Sequence, residues 1–288
     1  MNSFGLKSIL CPIDFSDLSA LALRYASDFR KCSGGRLEVL YANAFLPPPQ
    51  LTSTQRNHLA EAWKESKNST QQYLDSFVAK VLPQAKEELE CHVVDSSPVE
   101  AIVEAATSRA ADLIVMGTHG QSGENRMLLG SVAERVLREA PCPVLTVRQK
   151  KESTAPTAEI KNILVPINFS VVSRMALVSA GRIAQCFHAF MHVLRVIEPA
   201  EDPRDEADEM ARLRAWIPPD TRKMVELQES VVKGEGAEQI VLFANDEKID
   251  LIVMGAQHRQ FFDSTVVGTT SLRVVRHAPC PVFTMIRK

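Results

Sequence analysis

The residues best suited to chemistry lie in one loop and one turn. Gly117-Thr118-His119-Gly120 is followed, after nine residues, by Gly130-Ser131, and Asp14 stands directly after an apolar run, Ser8 to Ile13. Glycines at 117 and 120 remove side chains, so main-chain N–H groups can come close to a ligand, with positive φ also open to them. Gly130-Ser131 opens a helical pattern, whose first amides and dipole favour an anion, and the Ser131 hydroxyl adds a donor. Asp14 is suited to accept hydrogen bonds from ribose hydroxyls, as acidic residues do in other nucleotide folds. Together these residues describe a phosphate chain held by backbone amides next to a nucleoside. The plainer readings are a structural glycine loop and a strand-end turn at Asp14. His119 and Arg126, in the same loop, either meet phosphate or stay solvated. Ser16 reads as a helix cap.

These residues need an element at each flank to position them. Leu18, Leu21, Ala22, Tyr25, Ala26 and Phe29 recur at spacings of three and four, which predicts a helix after a Ser16 or Asp17 cap, ending at Gly34-Gly35. Leu37 to Ala42 reads as a strand, Phe45 to Pro49 as irregular chain, and Ser53 to Val81 as a long polar helix. Then follow a strand from Glu88 to Val94, a helix over Pro98 to Arg109, a strand at Leu113 to Met116, a helix from Ser131 to Glu139 and a strand from Val144 to Arg148. Short apolar strands alternating with helices predict a doubly wound α/β sandwich on a five-stranded parallel sheet. In such a sheet ligands sit beyond the carboxyl ends of the strands, where Asp14 and the glycine loop fall.

The chain says nearly the same thing twice. Asp112-Leu113-Ile114-Val115-Met116-Gly117 recurs as Asp250-Leu251-Ile252-Val253-Met254-Gly255, and Ala140-Pro141-Cys142-Pro143-Val144 as Ala278-Pro279-Cys280-Pro281-Val282, both 138 positions on. Ile9-Leu10-Cys11-Pro12-Ile13-Asp14-Phe15-Ser16 recurs as Ile163-Leu164-Val165-Pro166-Ile167-Asn168-Phe169-Ser170, 154 positions on. The 16-residue difference between the offsets is a deletion inside the second copy. A unit of this length is a duplicated domain rather than a solenoid repeat of roughly 20–50 residues. We therefore expect domains at 1–149 and 160–288, joined by a polar linker from Gln149 to Glu159. Strands are expected in the second near Ile163–Ile167, Phe190–Ile197, Met224–Val232, Leu251–Met254 and Val282–Ile286.

Gly-x2-Gly-x9-Gly-Ser after Asp-Leu-Ile-Val-Met and before a Pro-Cys-Pro-Val strand, together with the opening Ile-Leu-Cys-Pro-Ile-Asp, resembles the universal stress protein family. The resemblance covers nearly all of both copies, as in a tandem member. It implies two five-stranded sandwiches of the adenine nucleotide α-hydrolase-like kind, related by a pseudo-twofold axis and paired through their last strands. It also implies a stress-response or signalling protein; the cytoplasm is expected instead from the lack of a membrane-spanning apolar run and of a signal-peptide pattern. In the ATP-binding branch it implies bound ATP, with magnesium as a candidate companion. Asp14 would then touch the nucleoside and Ala42 offer its backbone to adenine. Met116, Gly117, Gly120, Gly130, Ser131 and Val132 would surround the ribose and phosphates.

The second copy departs from this pattern. Asn168 replaces the Asp, and His258 stands where the second glycine belongs, although Gly255, Gly268 and Thr269 remain. An imidazole at a close-approach position obstructs the phosphate path and restricts φ, so the second site is expected to be weakened or lost. The opposing reading has His258 donating to a phosphate. Both copies keep a serine, Ser16 and Ser170, which favours capping for that position.

Composition narrows the alternatives. At 288 residues, with 45% hydrophobic and 24% charged residues, the chain has room for two ordinary domains. A net charge of −2 without a Lys/Arg block argues against a nucleic-acid partner, and no apolar run reaches membrane-spanning length. The six cysteines show no paired spacing for zinc, and Cys142 and Cys280 read as buried apolar residues entering strands. The signatures of a P-loop, a dinucleotide-binding turn and a serine hydrolase elbow are missing, so efficient catalysis is not expected. The remaining alternatives are a slow ATPase and a nucleotide-free interaction protein working through the segment Pro47–Pro83. A homodimer is a further candidate assembly. Trp63 and Trp216 are expected to pack locally.

Overall fold

A computed structural model describes residues 5–44, 53–84, 89–120, 129–149, 159–199, 205–256 and 268–286, with main chain only at 53–64. The first half runs β1 (Ser8–Ile13), α1 (Asp17–Ser33), β2 (Arg36–Ala42), α2 (Ser53–Val81), β3 (Glu90–Val94), α3 (Pro98–Ser108), β4 (Leu113–Gly117), α4 (Ser131–Glu139) and β5 (Val144–Val147). The second half runs β6 (Asn162–Ile167), α5 (Val171–Phe187), β7 (Phe190–Ile197), α6 (Glu206–Trp216), α7 (Pro219–Met224), β8 (Leu227–Lys233), α8 (Gly236–Asp246), β9 (Leu251–Gly255), α9 (Thr269–His277) and β10 (Val282–Met285). Two short helices, α6 and α7, occupy the place that α2 fills in the first half. Pro219 starts α7, and that helix holds Met224, so β8 begins three residues later than the sequence suggests.

The strands form one sheet in the order β3-β2-β1-β4-β5-β10-β9-β6-β7-β8. The order is palindromic under the repeat, which gives the molecule its pseudo-twofold relation. Within each half every pairing is parallel, and the halves meet where β5 and β10 pair antiparallel through Val144, Leu145 and Thr146 against Thr284, Phe283 and Val282. The order reverses between β1 and β4, which opens a crevice at their carboxyl ends.

Pleat alternation divides the core into two layers. Ile9, Cys11, Ile13, Leu113 and Val115 face the side of α1, α2 and α5, whereas Leu10, Ile114 and Met116 face α3 and α4. Both layers continue through both halves. Phe29 of α1 is fully buried, 5.3 Å from Phe187 and 6.3 Å from Phe283 between ring centroids, and so joins the halves by apolar packing. Arg148 adds polar contacts, donating to the carbonyls of Ala278 at 3.1 Å and Arg276 at 2.7 Å. The Asp of the repeated Asp-Leu-Ile-Val-Met-Gly proves structural. Asp112 Oδ2 accepts from Lys7 N and Ser8 N at 2.8 and 3.1 Å, and Asp250 Oδ2 from Lys161 N and Asn162 N at 2.8 and 2.9 Å, tying strands β4 and β9 to the starts of β1 and β6.

Cys142 and Cys280 are buried, as expected of apolar strand residues. Cys32 and Cys186, treated as separate in the sequence, are joined by a disulfide at the ends of α1 and α5.

Candidate functional site

β1 delivers Asp14 to the carboxyl edge of the sheet. Phe15 then turns through the left-handed region (φ 65°), as Phe169 does in the second half (φ 59°), and Ser16 caps α1 by accepting from Ser19 N at 3.1 Å. Asp14 Oδ1 accepts from Ser16 N at 3.1 Å and from Ser16 Oγ at 2.6 Å, so the carboxylate is held in one orientation. Ser16 therefore does two jobs. Ser170 keeps the capping bond to Ser173 N at 3.1 Å, and Asn168 Oδ1 accepts from Ser170 N at 3.2 Å.

The three glycines of the loop separate into different roles. A Cβ on Gly117 would lie 3.0 Å from Leu18 Cγ, so this glycine lets β4 pack against the first turn of α1. Gly255 occupies the same place against Val172 and Ser173, with 3.0 Å to Val172 Cγ1 and 3.1 Å to Ser173 N. Gly130 closes the loop: its N–H donates to Thr118 O at 2.7 Å, and a Cβ would come within 3.2 Å of His119 Cα. Gly268 repeats that closure on Ala256 O at 2.6 Å. Gly120 differs, for its missing Cβ would sit 2.5 Å from Asp14 Oδ2. Gly117 and Gly255 thus share a packing role, and Gly130 and Gly268 share a loop closure, which explains their survival in the second half. Gly120 serves the Asp14 carboxylate, and it is replaced where Asp14 is. None of the three adopts positive φ; the need is steric room. His258 and Arg126 lie outside the described residues.

All eight residues singled out in the sequence, Asp14, Ala42, Met116, Gly117, Gly120, Gly130, Ser131 and Val132, line one cavity of about 620 Å³. That volume lies within the roughly 300–1,000 Å³ of small-molecule sites. The N-terminus of α4 forms one wall. Its N-cap is Gly130, with no side-chain capping bond, so the first amides of the helix face the crevice without a side chain of their own cap over them. His119 also lines the cavity, with its Nδ1 3.1 Å from the buried Thr118 hydroxyl.

Sequence reasoning missed Phe15, Tyr41, Pro98 and Ile102 on the cavity wall. The signal was present for the last two. Every crossover helix of a parallel sheet starts at the carboxyl edge, so the first turn of α3 must border the crevice. Phe15 and Tyr41 belong to an aromatic cluster: the Phe15 ring lies 4.6 Å from Tyr41, 4.7 Å from Tyr73 and 5.4 Å from Phe77.

The second half carries different chemistry at the equivalent edge. Arg195, in the position of Tyr41, is buried and donates to Glu209 Oε2 at 2.9 Å and to Val196 O at 2.7 Å. Arg212 reaches Glu209 Oε1 at 3.0 Å and lies 3.9 Å above the Phe169 ring, which meets Trp216 edge-on at 5.6 Å. Trp216 thus packs locally, as expected; the side chain of Trp63 lies outside the described residues. A Cβ on Gly236 would collide with Glu198 Oε1, so this glycine leaves room for a carboxylate at the start of α8.

Among the described residues, one cluster of potential metal ligands arises only from the fold. Glu38, Glu90 and His92 come together at the amino ends of β2 and β3, on the opposite edge from the cavity. Glu38 is already paired with Arg36 and Arg109, so the cluster is an ion-pair knot.

Comparison with known proteins agrees with this architecture. The family model described as "Universal stress protein family" matches residues 5–148 and again 159–285. A universal stress protein of Methanocaldococcus jannaschii is 34% identical over 149 residues, covering 51% of this chain and 84% of the relative. One from Thermus aquaticus is 34% identical over 142 residues, covering 49% of this chain and 98% of the relative. The crystal structure of a universal stress protein from Archaeoglobus fulgidus superposes on 99% of this chain and 98% of its own, at a TM-score of 0.71 and 23% identity.

Proposed function

The chain belongs to the universal stress protein family, and from that premise we propose that its first half, residues 1–149, binds ATP as a cytoplasmic stress-response or signalling module. The second half, residues 160–288, then acts as a degenerate partner domain. The observation that carries this reading is the convergence of eight residues, from three strand ends and one helix start, on a single cavity. In this reading Asp14, oriented by Ser16, accepts from the ribose hydroxyls. Ala42 offers its backbone to adenine beside the apolar surfaces of Met116 and Ile102. The phosphates rest on the first turn of α4, where each favourable helix-terminus interaction is worth about 0.3–1 kcal/mol, and up to about 2 when partly buried. Magnesium enters with the triphosphate. Asn168, Arg195 and Glu198 together remove this chemistry from the second half.

Two measurements test the reading. Native mass spectrometry of the purified chain should detect co-purified adenine nucleotide at one per chain. Calorimetry with ATP, ADP, AMP and cAMP, with and without magnesium, should show one site per chain with ATP preferred. Silence with all four ligands overturns it.

A further inference from the structure

Cys32 and Cys186 are 154 positions apart, the same offset that relates Ile9 to Ile163. They are repeat-equivalent residues, and two equivalent residues can touch only where the pseudo-twofold axis passes between them. The C-terminal ends of α1 and α5 converge there, bringing the two Cα atoms to 5.9 Å, within the roughly 4.4–6.8 Å that a disulfide spans. The bond crosses from one half to the other over the Phe29–Phe187 contact, above the short β5–β10 ladder. Both cysteines are only partly buried, so small oxidants and reductants can reach them.

The other thiols are poorly placed to compete. Cys11 is fully buried in β1, and burial pushes its pKa upward. Cys91 is raised to about 11 by burial and then by the neighbouring Asp75. Thiolate is the reactive form, so neither offers much at neutral pH. Four other cysteines stay as thiols, and in the cytosolic setting of the proposed function a disulfide is usually transient or redox-sensing.

We propose that Cys32 and Cys186 form a reversible dithiol–disulfide site that clamps the two halves together when a peroxide oxidises it. One thiolate attacks a peroxide oxygen, the O–O bond breaks, and a sulfenic acid forms as the first water leaves. The second sulfur attacks the sulfenic sulfur, the S–S bond forms, and the S–O bond breaks with loss of the second water. Two thiols and one hydrogen peroxide thus give one disulfide and two waters. A dithiol reductant returns the two electrons and two protons. In the reduced state the β5–β10 ladder, the shared core around Phe29, Arg148 and the Arg276–Glu134 pair hold the halves without the cross-link, so the ladder opens more often. The proposal stands apart from nucleotide binding.

The full chain is reduced with dithiothreitol, freed of reductant, titrated with hydrogen peroxide, and digested without reduction for mass spectrometry. The expected product is an intramolecular peptide pair containing Cys32 and Cys186, which dithiothreitol opens again in the folded protein. Hydrogen exchange at residues 144–147 and 282–285 should be at least about tenfold slower in the oxidised form, and the thermal midpoint higher by roughly 5–10 °C. Cys32→Ser and Cys186→Ser should each exchange like the reduced wild type under both conditions. Three results overturn the proposal: oxidation giving only intermolecular or other linkages, a bond that dithiothreitol does not open without denaturant, or identical exchange and midpoint in the two redox states.

Discussion

Asp14 Oδ2 lies 2.5 Å from the point that a Cβ on Gly120 would occupy, so the acidic residue after β1 and the second glycine after β4 form one steric unit. The second copy changes both members, to Asn168 and His258, while keeping Gly255, which serves packing, and Gly268, whose N–H closes the loop on Ala256 O. Loss of the unit and survival of the scaffold separate what the proposed binding demands from what folding demands.

Substitutions at this unit should therefore affect binding before stability. Gly120→Ala is expected to weaken ATP binding at least about tenfold, roughly 1.4 kcal/mol, because the Asp14 carboxylate must move. Gly120→His should abolish detectable binding in calorimetry. Asp14→Asn should cost about five- to fiftyfold, with a thermal midpoint close to wild type. Wild-type affinity in Gly120→His would refute the assignment of this loop.

Gly117 and Gly255 should show the opposite behaviour. In the first half an added methyl meets chiefly the Leu18 side chain, which can shift; in the second it meets the Ser173 amide nitrogen and the Val172 carbonyl carbon at 3.1 Å, which cannot. Gly255→Ala is expected to destabilise by about 1–3 kcal/mol and Gly117→Ala by less. Urea unfolding of the two variants checks the order, and equal losses would argue against backbone crowding as the cause.

The buried pair Arg195–Glu209 should respond strongly to removal of one partner. Glu209→Leu leaves the Arg195 guanidinium buried without its carboxylate, at a cost of about 3–5 kcal/mol. Arg195→Met combined with Glu209→Leu should recover most of that, because neither charge then needs solvation. A double variant as unstable as the single would show that Arg195 is held chiefly by its other contacts. Comparison of unfolding midpoints decides between them.

His192 imposes a pH dependence on folding. Burial beside Phe190 and Phe243 lowers its pKa, and the Glu247 charge offsets this in part. The folded state therefore binds this proton less readily than the unfolded chain, whose His titrates near 6.5. Its stabilising effect is complete above that value and is lost as pH falls from about 6.5 towards the depressed folded value. His192→Phe should flatten the stability profile across that interval. An unchanged slope in denaturant titrations at several pH values would assign the effect to another group.

Hydrophobic periodicity and turn residues are local properties, and they made most of the fold legible. The short apolar runs of β1 and β4, the Ser16 cap, the Gly34 end of α1 and the bounds of α2 and α4 all follow from nearest-neighbour physics. The eight candidate residues were also legible, because strand ends and helix starts of a parallel sheet share one edge. Phe15 and Tyr41 were not, since a cavity wall depends on which side chains neighbouring elements turn toward each other.

The amino-acid sequence alone determined the duplication, the order of elements, the residue types at the crevice and the chemical divergence of the second copy. These follow from composition and spacing along the chain. The pairing of β5 with β10 was expected from the family resemblance, but only the tertiary structure decided that Cys32 meets Cys186, that Arg195 fills the place of Tyr41, and that Gly117 serves packing whereas Gly120 accommodates Asp14. Each of those relations joins residues far apart in the chain, and such contacts are set by how whole surfaces bury against one another.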